Sequence, residues 1–295
     1  MGAIIAKFTD LTNGCGIIRR VTTLINRLAN VFAPPPDSKQ HIHLKRPQDI
    51  AAMRESGRLV AQCFDLLQHN IRPGVTLREL DQKVAALIEE RGALPLYKGY
   101  RGNPPSHPPF PGVICASVNH EICHGLPNGR VLKEGDIVGI DIGLKYNGYC
   151  GDACVTFAVG RVSPRAQRLL DVTQECLRRG IAAAQPGRYV SDIGAVIQLY
   201  AESKGYSVVR EWGGHGIGRN LHEAPSVPHV GPGGQGPRLR PGMVFTIEPM
   251  INEGVPDWTL LKDGWTVVTN DGKLSAQFEH TIAITEDGPI ILSQL

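Results

Sequence analysis

A chain of 295 residues, 42 % hydrophobic and 20 % charged, is long enough to bury one large core or two smaller ones. It contains no run of 18 apolar residues, which excludes a transmembrane helix of ordinary length. Its seven cysteines (15, 63, 115, 123, 150, 154 and 176) form no C-x-x-C pair, so a structural zinc site is not expected and reduced thiols are.

The net charge of +3 is unevenly spread. Residues 1–45 hold six basic side chains (Lys7, Arg19, Arg20, Arg27, Lys39, Lys45) against Asp10 and Asp37, leaving the remainder close to neutral. Within this tail, Ile17, Ile18, Val21, Leu24, Ile25 and Leu28 share one helical face, and Pro34-Pro35-Pro36 then makes a stiff linker. A basic amphipathic helix of this kind suits a membrane surface, ribosomal RNA, an organellar presequence, or loose packing on the body. Met1-Gly2 lacks Ser or Thr at position 6 and does not fit myristoylation. The expected division is an extension over 1–42 and a folded body over 43–295.

Helices are expected near 47–69 and 163–182, each followed by a copy of an internal repeat. Residues 72–92 and 185–205 align Pro73 with Pro186, Gly74 with Gly187, Glu89 with Glu202 and Gly92 with Gly205, all at one offset of 113. Leu80, Val84 and Leu87, matched by Ile193, Ile197 and Tyr200, keep an apolar face at helical spacing. Thr76 and Ser191 are the cap candidates. Strands follow each copy, so the chain reads as two helix-then-strand halves around one continuous core.

In the first half, residues 136–157 carry Asn147-Gly148 between two apolar runs, the signature of a two-residue hairpin. That register pairs Tyr146 with Tyr149 and Gly143 with Asp152. Asp141 then shares a face with Gly143 and lies diagonal to Asp152, with Cα atoms about 7–8 Å apart. In the second half, His215 sits in Gly213-Gly214-His215-Gly216-Ile217-Gly218, read as a glycine-rich loop that allows close backbone approach. Glu248 ends a short apolar strand just before Pro249. Glu279 is expected in the middle of a strand after a turn at Asn270–Gly272. A carboxylate there is costly to bury unless it is paired or bound to a cation. Four carboxylates and one imidazole, if they converge, can hold two hard or borderline divalent cations and form a hydrolytic centre.

The strings Cys123-His124-Gly125-Leu126-Pro127, Asp141-Ile142-Gly143, Gly214-His215-Gly216-Ile217-Gly218, Thr246-Ile247-Glu248-Pro249-Met250 and Gln277-Phe278-Glu279-His280-Thr281 resemble those of the type I methionine aminopeptidases over about residues 43–293. The resemblance implies an α+β pita-bread fold, with two pseudo-symmetric halves around a curved antiparallel sheet. It implies two divalent cations (Co, Mn, Fe, Zn or Ni) on Asp141, Asp152, His215, Glu248 and Glu279. The implied reaction is removal of the initiator Met from nascent chains and peptides when the second residue is small and uncharged, by a cytoplasmic monomer. Glu248 would also carry the proton, and His124 and His222 would contact the substrate. Tyr100, Cys115 and Trp265 match pocket positions, and Asn119 and Ser275 a monovalent-cation position. Tyr97 stands where many relatives carry Cys, Leu221 where an aromatic is common, and residues 103–111 form a Pro-rich insertion. His107, His120 and His280 receive no role.

Two other readings remain open. A proline-specific peptidase of this fold usually carries a large extra N-terminal domain, and a non-catalytic binding module of this fold typically loses ligands. The type II subfamily carries a long helical insertion, whereas no helical pattern lies between His215 and Glu248.

Overall fold

A computed structural model describes residues 41–102 and 107–295. The expectations for the Ile17–Leu28 helix and the Pro34–Pro36 linker lie outside the described residues, as does part of the Pro-rich insertion. The chain engages the body as soon as it is described: Ile42 packs against the second-half core, and Lys45 N–H donates to the Gly242 carbonyl at 2.7 Å.

The first half opens with helices α1 (Pro47–Gln68) and α2 (Leu77–Glu90). Strands β1 (Leu94–Pro95), β2 (Cys115–Val118), β3 (Glu121–Cys123), β4 (Ile137–Tyr146) and β5 (Tyr149–Ala158) follow. The second half opens with α3 (Pro164–Ala183) and α4 (Val190–Ser203). Its strands are β6 (Ser207–Val208), β7 (Gly214–Gly216), β8 (Glu223–Val227), β9 (Val244–Ile247) and β10 (Met250–Asn252), then β11 (Trp258–Leu260), β12 (Val267–Thr269), β13 (Ser275–Gln277), β14 (His280–Thr285) and β15 (Gly288–Ile291).

Local chemistry accounts for the helix starts. Thr76 Oγ1 accepts from Glu79 N–H at 3.2 Å while Glu79 Oε2 accepts from Thr76 N–H at 2.7 Å, a reciprocal cap on α2. Ser163 caps α3, with Pro164 at its first position. In α4 the cap differs from expectation. Asp192, not Ser191, accepts the Tyr189 N–H, and Ser191 Oγ instead accepts from Gln235 N–H. Ser191 already lies inside the helix, one residue past its start, where its hydroxyl reaches the neighbouring loop. Otherwise α4 reproduces the bounds of α2 at the offset of the sequence repeat.

All strand pairing among the described residues is antiparallel. The described residues form four hydrogen-bonded sheets: β1-β4-β2 with β5 added on β4, β13-β10-β6, β11-β12-β3, and β15-β14-β9-β7-β8. Each half has its own helix-covered core. Leu67, Leu80, Val84 and Ile140 belong to one, and Leu169, Ile193, Ile197, Phe245 and Ile282 to the other. A third cluster around Phe110, Cys115, Trp212, Met250 and Trp265 mixes strands of both halves, so the core is segmented rather than continuous.

The two halves meet along β5. Glu279 N–H donates to the Cys154 carbonyl at 2.8 Å, and Thr156 Oγ1 donates to the Gln277 carbonyl at 2.6 Å. Thr281 Oγ1 donates to the Asp152 carbonyl at 2.8 Å. These bonds set the Asp152 hairpin against the segment carrying Glu279.

Candidate metal centre

The first two carboxylates come from the β4–β5 hairpin. Asn147 and Gly148 take positive φ of 49° and 81°, as a two-residue turn between twisted strands requires. The register pairs Tyr146 with Tyr149, Gly143 with Asp152 and Asp141 with Cys154. Asp141 and Asp152 are therefore diagonal neighbours on one face.

His215 lies in the three-residue strand β7, between β8 and β9, rather than in a loop. The flanking glycines exist for contact: a Cβ on Gly214 would stand 2.1 Å from the Thr246 carbonyl oxygen, and one on Gly216 the same distance from that of Ala224. His215 Nδ1 lies 3.0 Å from the Gly216 carbonyl oxygen, which can only accept. The ring proton is thus held on Nδ1, and the Nε2 lone pair faces Asp152 Oδ2 at 3.6 Å and Glu248 Oε1 at 3.8 Å. Burial lowers the imidazole pKa to about 4, so these contacts are not ion pairs; they are also too long for hydrogen bonds.

Glu279 is not in the middle of a strand. Its segment divides into β12, β13 and β14, and Glu279 stands in the break before β14. Its N–H has left the ladder for Cys154. Glu248 stands in the matching break between β9 and β10, where Pro249 has no N–H to give. The Glu248 N–H bonds His229 Nε2 at 3.2 Å instead.

Asp141, Asp152, His215, Glu248 and Glu279 all line one cavity. Ligand atoms of Asp152, His215 and Glu279 lie within 4.8 Å of one another. Burial pushes the carboxyl of Asp141 up to about 7 and that of Glu248 up to about 8. Asp152 and Glu279 are raised further, first by burial and then by neighbouring carboxylates. Glu279 Oε1 is buried without a hydrogen-bond partner. Four clustered carboxyl groups with an imidazole whose Nε2 lone pair faces them, and with no buried Lys or Arg bonded to them among the described residues, are a donor set that fits a divalent cation.

His124 and His222 line the same cavity. His124 holds the left-handed region at φ 57°, a strain of the kind stored at functional sites, and its ring meets Trp212 edge-on at 5.2 Å. The His222 ring is 4.3 Å from that of His215. Burial depresses both imidazoles, His124 to about 3, so each is neutral with one N–H. Cys115 lines the cavity wall; Tyr100 and Trp265 do not line it but share an apolar cluster with Cys115. Tyr100 lies 6.3 Å from both His222 and Trp265, and Trp265 Nε1 donates to the Pro108 carbonyl in the Pro-rich insertion at 2.9 Å.

Several residues in or beside the cavity received no role from the sequence, Tyr97 standing out there only as a departure from the family's pattern. Thr246 Oγ1 donates to Glu248 Oε1 at 2.7 Å and accepts from His215 N–H at 3.0 Å. Gln277 Nε2 donates to Glu248 Oε2 at 3.3 Å. The Tyr97 hydroxyl lies 2.6 Å from Asp141 Oδ1 and 2.7 Å from Asp152 Oδ1. Trp212 and Met250 complete the apolar wall. Thr246 carried a further sequence signal, since it precedes Glu248 by two and shares its strand face.

Comparison with known proteins gives this cavity a lineage. The chain is 51 % identical to methionine aminopeptidase 1 of Bacillus subtilis over 251 residues, 85 % of this chain and 98 % of that one. It is 42 % identical to the Escherichia coli methionine aminopeptidase over 254 residues, covering 85 % and 94 %. The crystal structure of the Rickettsia prowazekii methionine aminopeptidase superposes with a TM-score of 0.82 at 43 % identity, covering 86 % of this chain and all of that one. A Pyrococcus furiosus prolidase shares the fold alone, with a TM-score of 0.68 at 20 % identity over 98 % of this chain and 75 % of that one. The profile of metallopeptidase family M24 matches residues 51–286, most of the chain and every residue of the cavity, and the chain belongs to that family.

Proposed function

We propose that this chain is a metal-dependent methionine aminopeptidase that releases the initiator Met from nascent proteins and peptides when the second residue is small and uncharged. The observation that carries the reading is the convergence of Asp141, Asp152, His215, Glu248 and Glu279 on one cavity that also holds two neutral histidines. The five residues would hold divalent ions, two by resemblance, and the oxygen and nitrogen donor set accepts Co, Mn, Fe, Zn or Ni. A bound ion supplies Lewis acidity, lowering the pKa of water and polarising the scissile carbonyl.

The chain's own groups do the rest. Glu248, steadied by Thr246 and Gln277, takes the proton of the attacking water and passes it to the leaving amine. His222 offers its one N–H to the carbonyl oxygen as negative charge develops there. His124, held against Trp212, contacts the scissile nitrogen or the substrate amine. Cys115, with Tyr100, Trp265, Leu221 and Met250 in the same apolar cluster, receives the Met side chain through apolar and sulfur contacts. The enzyme acts as a monomer in the cytoplasm, and the basic tail serves as a ribosome contact, or as a presequence in an organelle.

The test is Met release from Met-Ala peptides by chelator-stripped protein. Activity should return on adding Co or Mn; inactivity with every divalent metal would refute the assignment.

A further inference from the structure

The five acidic and imidazole groups are not equivalent in space. Asp152, His215 and Glu279 bring one ligand atom each to within 4.8 Å of the others, and Asp141 is not part of that group. The edge between Asp141 and Asp152 is taken up by another side chain. The Tyr97 hydroxyl stands 2.6 Å from Asp141 Oδ1 and 2.7 Å from Asp152 Oδ1. A phenol has a single hydrogen and donates it to one of the two at a time, so it spans both oxygens and ties their separation to its own position.

That position is firmly set. Tyr97 is only 3 % exposed, and its ring meets Phe110 edge-on at 6.4 Å. The ring lies against Gly143, where a Cβ would stand 2.7 Å from Cε1 and 3.0 Å from the hydroxyl oxygen. Gly143 is the residue paired across the hairpin with Asp152. Rotation about the Cβ–Cγ bond leaves the para oxygen in place. Only a change at χ1, against Phe110 and the β4 backbone, moves the hydroxyl off the carboxylates. A cation held at this edge would compete with the Tyr97 hydroxyl for the space between the two carboxylates and for either Oδ1 atom it used.

We infer that Tyr97 guards the Asp141–Asp152 edge: Asp152, His215 and Glu279 already gather ligand atoms for one divalent cation, and a second cation binds at that edge only in competition with the Tyr97 hydroxyl. Tyr97 is a positioning residue in this scheme. It holds the two aspartates in place when the edge carries no cation, and it weakens the second binding step.

The inference rests on the metal reading of the cavity, and the experiment separates the two. Chelator-stripped full-length protein is titrated with Mn(II) by calorimetry, with equilibrium dialysis for stoichiometry, as wild type and as Tyr97→Phe. Wild type should bind one equivalent at least tenfold more tightly than the second. Tyr97→Phe should tighten the second step at least tenfold and change the first less than threefold. The paramagnetic resonance signal of a coupled Mn pair should then appear at a lower Mn-to-protein ratio in the variant. Two wild-type equivalents within threefold of each other, or a second step unchanged by Tyr97→Phe, would overturn the role of Tyr97 and leave the metal reading standing. Failure to bind Mn(II) at all would overturn both. Should Tyr97→Phe not fold, the tyrosine difference absorption of the wild type decides. A change confined to the second equivalent supports the inference, and a change complete with the first refutes it.

Discussion

Thr246 offers the sharpest test of how the site is held. Its hydroxyl, fully buried in β9, joins two prospective ligands by accepting from the His215 backbone N–H and donating to Glu248 Oε1. Thr246→Val keeps the shape and removes both bonds. The His215 N–H, left buried without a partner, costs about 1–3 kcal/mol, and the lost bond to Glu248 about 0.5–1.5 kcal/mol. Burying a methyl in place of the hydroxyl offsets about 0.8 kcal/mol. The metal-stripped variant should therefore unfold about 1–4 kcal/mol more easily in urea. Freed from its hydroxyl, the Glu248 carboxylate should also lose aim, and Mn(II) affinity should fall about 10–100-fold, as for other groups that orient ligands. Thr246→Ser, which keeps the oxygen, should recover most of both. If Thr246→Val unfolds within 0.5 kcal/mol of wild type and binds Mn(II) within twofold, Thr246 does not organise the centre.

Three further outcomes are expected. Glu248→Gln should lower kcat by several orders of magnitude with the fold retained by circular dichroism, because a ligand and the proton carrier are lost together; near wild-type turnover would remove Glu248 from the mechanism. His222→Ala should lower kcat about 10²–10³-fold with metal content unchanged by elemental analysis; a loss of metal would make it a ligand instead. Deleting residues 1–40 should leave kcat on short peptides within a few-fold while reducing co-sedimentation with ribosomes in a salt-sensitive manner; aggregation or lost peptide activity would show that the tail packs into the core.

What could be read from the sequence was local. Asn147-Gly148 sets the β4–β5 register through two positive φ angles, and that register alone makes Asp141 and Asp152 neighbours. The Pro-Gly openings and the shared offset foretell the matched helices α2 and α4. The misreadings are failures of range. His215 looked like a loop residue because its glycines resemble loop glycines, whereas they serve close contact with the Ala224 carbonyl on the next strand and with that of Thr246, far along the chain. Glu279 looked interior to a strand because nothing nearby in the sequence says that its N–H leaves for Cys154. Ser191 looked like a cap because its competitor Asp192 is adjacent. Tyr97 reaches the aspartates only because β1 pairs with β4 and carries the next turn of chain over Gly143.

The same long-range pairing explains why Glu248 and Glu279 are costly. Ile247 pairs with His280 and Met250 with Gln277, in one shared register. Continuing either ladder sets Glu248 directly opposite Glu279. Like charges in opposed positions destabilise a sheet, and here the ladder opens at that point. Pro249 has no N–H, and the N–H groups of Glu248 and Glu279 go to His229 and Cys154. Burial, then the charges of Asp152, Glu248 and Asp141, hold the Glu279 carboxyl well above its ordinary 4.5. A carboxyl whose pKa is raised by folding gives up protons more readily when unfolded, so its contribution is intact below about pH 4.5 and is lost as pH rises. Replacing it by the neutral isostere should remove that loss. Metal-stripped Glu279→Gln should be more stable than wild type by roughly 1 kcal/mol or more at pH 8, with the advantage gone at pH 4, while binding Mn(II) at least tenfold more weakly. A metal-stripped variant less stable than wild type at pH 8 would mean that Glu279 is held in place for the fold's sake, and that the opposed pair is not a cost accepted for the cation.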